Sequence, residues 1–285
     1  MKLSMEIYIV AERFGDARAV ELIKNAGFDA IDYSFYYNKE CETVLGENYR
    51  EYAQELRAQF DRVGIACNQA HAPFTFRYGM QMDPSEEKYL ALIRSLEAAS
   101  ILGAKNIVVH SITVPEGVDF EQYNVEYYRS FIPYCEQFGI CVAVENLFKI
   151  DKVTKQIGGK LGSPEELNRM IKKIASPWIV ACVDVGHAAL TGFEPQDFID
   201  DMDADVLKCL HIHDNDYTDD CHLLPYSEKL NWPAIISSLK KKGYTGDLTL
   251  EIVTYIDLYP DALIEDALKF AGAVGHHLIS LYENA

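Results

Sequence analysis

Residues 179–187 read IVACVDVGH: five apolar residues without interruption, then an aspartate, and a histidine three positions later. A strand with one wet face alternates polar and apolar residues. A nearly continuous apolar run instead belongs to a strand covered on both faces, as in a parallel sheet packed under helices. The runs Ile107–Val109 and Val142–Val144 have the same character. Working outward gives eight strand candidates: Met5–Val10, Ala30–Ser34, Ile65–His71, Asn106–Ser111, Cys141–Asn146, Val180–Val185, Leu207–His213 and Leu248–Val253. Eight strands alternating with helical segments is the count of a (β/α)8 TIM barrel with parallel strands, and that fold is expected here.

The helices between the strands carry recognisable ends. Ala17–Asn25 stops at Gly27, Ser85–Leu102 at Gly103 and Phe120–Phe138 at Gly139, each glycine suiting a left-handed C-terminal residue. Ser163-Pro164-Glu165-Glu166 supplies a capping serine, a proline at the first helical position and a glutamate placed for a capping box, opening Glu165–Ile174. Trp232–Lys242 and Asp261–Leu281 complete the set. No Pro/Gly/Ser-rich linker and no long repeat breaks the order, so one domain over residues 1–285 is the economical reading. A doubly wound open sheet would carry a Gly-rich phosphate loop after its first strand, and VAERFG at 10–15 is not one.

Composition sets further bounds. The chain has 285 residues, 49% apolar and 25% charged, which excludes a disordered or collagen-like polymer. Lys and Arg number 26 against 44 Asp and Glu, a net charge of −18, and no basic cluster tracks a phosphate backbone. Nucleic acid is therefore disfavoured, although a local metal cluster can neutralise phosphate where the overall balance cannot. No leader-like start and no window of about 18 apolar residues is present, so a cytoplasmic protein is expected. Seven cysteines, Cys41, Cys67, Cys135, Cys141, Cys182, Cys209 and Cys221, lack C-x-x-C spacing and read as reduced, mostly buried thiols.

In a parallel barrel the chemistry collects at the carboxyl ends of the strands. Here nearly every strand ends in a polar group: His71, His110, Glu145-Asn146, Asp184 with His187, then His211, His213 and Asp214, and finally Glu251. A lone histidine at a strand end is more often a satisfied structural side chain than a ligand. Glu145 and Glu251 differ, because each interrupts a strongly apolar strand and acids are almost never buried unpaired. Three carboxylates, Glu145, Asp184 and Glu251, at one barrel mouth would repel by ~4 kcal/mol per pair at ~4 Å and a dielectric near ~20. That threatens a net stability of only ~5–15 kcal/mol. Protons or a cation must relieve it, and the neighbouring His211 nitrogen favours a divalent ion held by Glu145, Asp184, His211 and Glu251. Oxygen-rich coordination with one imidazole suits Mn²⁺, Mg²⁺, Co²⁺ or Zn²⁺, and the residue types leave the choice open.

HAPF, VVHS, VAVENL, VDVGHAALTG, LHIHDND, DCHLLPYSEKLNW and LTLEI, in this order across almost the whole chain, resemble the sugar phosphate isomerase/epimerase family of xylose isomerase-like TIM barrels. The resemblance implies that Glu145, Asp184, His211 and Glu251 hold one divalent metal while His187 and Asn146 face a small sugar substrate. It also implies acid/base roles for Glu145 and Glu251 in isomerising or epimerising a keto or aldo sugar through an enediolate. His71, His110, Asp220 and His222 are then hydroxyl-binding or further metal-binding groups, and a homodimer is a mild expectation. His213 stands where such motifs often have lysine. The same motifs are similar to the three-zinc apurinic/apyrimidinic endonucleases, for which His71, His110, His187, Asp220 and His222 would extend the four ligands to nine and bring additional zinc. Against that reading stand the charge and the loop APFTFRYGMQMD after His71, which has no DNA-clasping basic character. Dehydration of a ketosugar or inosose on the same site is a further alternative. Tyr33, Phe35, Tyr36 and Tyr37, after the second strand, could line a sugar or simply pack the loop.

Overall fold

The structure, a computed structural model, describes residues 1–35, 45–74, 77–150 and 157–285. Its frame is a set of strands in chain order: β1 Leu3–Glu6, β2 Ala30–Ser34, β3 Ala66–His71, β4 Asn106–Val108, β5 Cys141–Glu145, a small antiparallel pair β6 Lys149–Ile150 and β7 Ile157–Gly158, then β8 Ile179–Asp184, β9 Leu207–His211 and β10 Leu248–Leu250. The eight-stranded sheet runs β10-β1-β2-β3-β4-β5-β8-β9, every pairing parallel. A parallel bridge from Ile212 to Leu250 joins the two outer strands. The architecture is the expected single (β/α)8 TIM barrel.

Alternation along each strand sorts its side chains into lumen and helix layer. On β8, Ile179, Ala181 and Val183 join the large core under the helices, whereas Val180 and Cys182 belong to a small separate cluster with Val108, Ala143 and Cys209. That cluster plugs the lumen, and the next inward positions above it are Glu145, Asp184 and His211. Two register shifts set this up. One between Ala181 and Cys182 steps past Lys208 and places Asp184 opposite His211; the other, between Ile31 and Asp32, steps past Asn68 and places Asp32 opposite Gln69. Such irregularities re-aim side chains next to sites.

The strand ends differ from the sequence reading. The run Met5–Val10 divides into β1 and a helix, Tyr8–Phe14, because the buried Glu6 carboxylate accepts from the Tyr8 amide and turns the chain out of the ladder. β4, β9 and β10 stop two or three residues earlier than expected; beyond their ends stand His110 and Glu251, which line the mouth, and the buried His213. Besides Tyr8–Phe14, the described residues form four helices that were not expected: Tyr49–Val63, Val185–Leu190, Pro195–Asp201 and Val253–Asp257. Gly103 and Gly139 end their helices in the left-handed conformation, and the Ser163 hydroxyl accepts from the Glu166 amide as the cap predicts. Of the described cysteines, all free, Cys67, Cys135, Cys182 and Cys209 are buried and Cys141 and Cys221 half-buried; Cys41 lies outside the described residues.

Candidate metal centre

At the carboxyl end of the barrel, Glu145 from β5, Asp184 from β8, His211 from β9 and Glu251 just after β10 point one ligand atom each into a common space, all within 4.8 Å of one another. Their exposures are 1%, 0%, 1% and 7%. His211 turns Nδ1 to this space, 2.9 Å from Glu145, 3.5 Å from Glu251 and 3.9 Å from Asp184. The four residues paired by sequence reasoning are thus brought together.

Two further groups adjoin the first. His71, His110 and Glu145 form one, with His110 Nε2 2.7 Å from the Glu145 carboxylate; His187, His213, Asp220 and His222 form the other. Asp220 meets His222 at 3.1 Å and His187 at 3.7 Å. The sequence reading did not assign His213 a role. In the structure it is fully buried, stacked on His222 with ring centroids 4.1 Å apart, and its Nε2 lies 3.1 Å from Asp184. Its ligand-like spacing, two residues after His211 on a strand that turns inward, was the signal available.

Asn146 plays a different part from the pocket-facing group expected. Its amide nitrogen donates to the Asp184 carbonyl at 2.9 Å and its amide oxygen accepts from the Asp184 backbone N–H at 2.8 Å, so both ends clamp the aspartate's main chain. The Asn146 carbonyl in turn lies 2.9 Å from His187 Nδ1. Tyr33 and Phe35 are packed in the core rather than at the rim, the Tyr33 hydroxyl donating to Asp16; Tyr36 and Tyr37 lie outside the described residues. Among the described residues, Tyr8 and the half-exposed Phe74 are the Tyr and Phe side chains that line a cavity of about 270 Å³ with His71, His110, Glu145, His187, Asp220, His222 and Glu251. Larger hollows of about 530 and 360 Å³ lie elsewhere and contain none of these groups.

The electrostatics follow from burying so many acids beside imidazoles. Burial alone would raise the Glu145 carboxyl, but His211 and His110 outweigh it and hold it well below the usual carboxylate range. Asp184 is likewise held down, against burial, by His187 and His213. Burial disfavours the charged imidazoles, yet Glu251 and Glu145 lift His211, and Asp184 and Asp220 lift His187, well above the ordinary histidine value. At His110 burial prevails over Glu145 and the pKa falls. Carboxylates and imidazoles so arranged are oxygen and nitrogen donors of the kind that could hold a divalent metal. Asp220 Oδ1, buried without a hydrogen-bond partner, keeps a donor in reserve. The residues fit a metal.

Comparison with known proteins places this geometry. Residues 20–273 match the family described as the xylose isomerase-like TIM barrel. An uncharacterized protein of Sinorhizobium fredii is 31% identical over 274 residues, covering 86% of this chain and 83% of its own. Another, of Methanocaldococcus jannaschii, is 28% identical over 245 residues, with 82% and 78% coverage. Among solved structures, a D-tagatose 3-epimerase-like protein superposes with a TM-score of 0.77 at 22% identity over 100% of this chain and 99% of its own. The IolI protein with a bound zinc atom gives 0.72 at 14% identity, again over 100% and 99%.

Proposed function

Because this chain belongs to the xylose isomerase-like TIM barrel family, we propose that it is a divalent-metal-dependent isomerase or epimerase of a keto or aldo sugar or a related polyol ketone. Residues 1–285 act as one domain in this reading. The observation that carries it is the convergence of Glu145, Asp184, His211 and Glu251, of which Glu145 and Glu251 also line the cavity shared by His71, His110, His187 and His222. The epimerase-like and zinc-bound structural neighbours support it through a shared fold.

Glu145, Asp184, His211 and Glu251 would hold a divalent ion, which would supply Lewis acidity toward a substrate carbonyl and its neighbouring hydroxyl. Glu145 and Glu251 come from strands separated by β8 and β9, so their carboxyl groups address a planar enediolate from two directions: for epimerisation one, ionised, takes the α-proton, and the other, entering the step protonated, delivers its own proton to the opposite face. Glu145 is suited to remain ionised, being held down by His211 and His110. His187, with Nδ1 fixed on the Asn146 carbonyl, offers Nε2 to a substrate hydroxyl from the cavity wall, where His222 is held by Asp220 and the Glu251 carbonyl. No Lys or Arg lines the cavity among the described residues, which favours an uncharged sugar over a sugar phosphate. Its volume lies just below the roughly 300–1,000 Å³ of drug-sized pockets and suits a small polyol. Dehydration of a ketosugar or inosose starts with the same proton abstraction.

One observation favours a second reading. The three adjoining groups, two of which share Glu145, together contain the nine residues that a three-zinc phosphodiester-cleaving site would use, with His213 in addition. The net charge of −18 weighs against a DNA substrate. Elemental analysis of protein purified without added metal separates the readings. About one ion per chain, lost in Glu251→Gln, together with metal-dependent exchange of a ketose α-proton in deuterated water that falls at least ~100-fold in the same variant, supports the isomerase. About three zinc ions with incision of abasic DNA supports the second reading. Absence of any bound or bindable divalent ion defeats both.

A further inference from the structure

His211 has two ring nitrogens, and the metal reading engages only one. With Nδ1 turned to Glu145, Glu251 and Asp184, the opposite nitrogen, Nε2, points down into the barrel, where the facing carboxylate is Asp32 with Oδ2 3.4 Å away. As the side chains stand, Nε2 is buried without a hydrogen bond, and Asp32 Oδ1 is in the same condition. Both residues are essentially inaccessible to water, so neither group can be satisfied from solvent.

Asp32 is not loosely placed. Gln69 Nε2 donates to its Oδ2 at 2.6 Å, and the register shift between β2 and β3 is what sets Gln69 opposite Asp32. An imidazole bound to a metal through Nδ1 keeps its remaining proton on Nε2. A carboxylate at that proton fixes the ring's orientation and raises its basicity as a ligand. We propose that Asp32 is a positioning residue that holds His211 with Nδ1 toward the metal by accepting the Nε2 proton, and that Gln69 aims Asp32. This inference rests on the single-metal reading of Glu145, Asp184, His211 and Glu251. A buried carboxylate with one amide donor is otherwise costly in a barrel lumen, and the pairing accounts for its presence.

The test titrates metal-free protein with Zn²⁺ and measures the dissociation constant for wild type, Asp32→Asn and Asp32→Ala. Asp32→Asn preserves shape and removes charge; the expected result is Zn²⁺ binding weakened ~10–100-fold, and at least as much in Asp32→Ala. Thermal unfolding of the metal-free forms identifies the folded variants. Folded variants that bind within twofold of wild type overturn the proposal. Nuclear magnetic resonance of zinc-loaded wild type gives a readout independent of any variant: the His211 Nε2–H proton resonates far downfield and exchanges slowly with solvent. A freely exchanging Nε2–H, or none, overturns the proposal even where the variants fail to fold. Wild type that binds no ion refutes the metal reading itself, a result distinct from a variant that binds as well as wild type.

Discussion

Gly186 occupies a position where a single carbon has nowhere to go. A Cβ there would lie 2.0 Å from His213 Cε1 and 2.5 Å from its Nε2, so the ring that contacts Asp184 fits only against a bare backbone. Gly186→Ala is therefore expected to destabilise the protein by ~1–3 kcal/mol in urea unfolding and to lower its metal content. Unchanged stability and metal content would show that His213 moves aside freely. His222, stacked on the same ring, gives a pH signature. Burial opposes its charge, but Glu251 and Asp220 raise its pKa to about 10. An unfolded histidine titrates near ~6.5, so the folded state binds this proton more tightly; the stabilisation is complete below pH ~6.5 and lost as pH rises through about 10. The melting temperature of metal-free protein should accordingly fall between pH 7 and pH 10, and less steeply in His222→Gln. Parallel slopes would refute the assignment.

The same scale shows what the sequence could disclose. Glu145 and Glu251 stand out because acids inside apolar strands demand an explanation. Asp32 sends the same signal in AIDYS, yet flanking polar residues make that run look half-exposed, and only closure of the barrel shows its alternate face to be buried. The Asn146 clamp was not legible, because two hydrogen bonds to another strand's backbone leave no pattern in spacing.

At the level of elements, the long connection after β9 carries Asp220 and His222, and its order comes from Asp214. That carboxylate accepts from the Glu228 and Leu230 backbone N–H groups, both at 3.1 Å, and from Trp232 Nε1 at 3.0 Å, while its own backbone pairs with Leu223. One aspartate thus ties the loop's middle and far end to the start of the helix Trp232–Lys242. Asp214→Ala leaves three donors without this acceptor, at ~1–3 kcal/mol for each that stays buried and unsatisfied. The expected outcome is a loss of at least ~2 kcal/mol in stability and faster amide exchange over residues 215–231. Exchange as slow as wild type would mean that the loop holds itself. Tyr49–Val63 was legible in principle, since Tyr49, Ala53, Leu56 and Phe60 recur at helical spacing and all are buried. The pair β6 and β7 was not, because two-residue strands carry almost no periodicity.

Across the whole molecule, the sequence signalled the barrel through eight apolar runs, while the exact exit of each strand depended on packing at the mouth. No described helix is long and apolar enough to cross a membrane. The sheet is completed by its most distant members: Leu3, Ser4 and Met5 on β1 pair with Leu248, Thr249 and Leu250 on β10. On a ribosome adding ~5–20 residues per second, β1 waits roughly ten to fifty seconds for that neighbour. Glu251 is the last of the four clustered residues to emerge. A nascent chain that has made β5, β8 and β9, neighbours in the sheet, carries Glu145, Asp184 and His211 but lacks Glu251 until β10 has been made. The four-residue cluster is therefore complete only when the strand that lies between β9 and β1 is in place, so its formation reports that the barrel has closed.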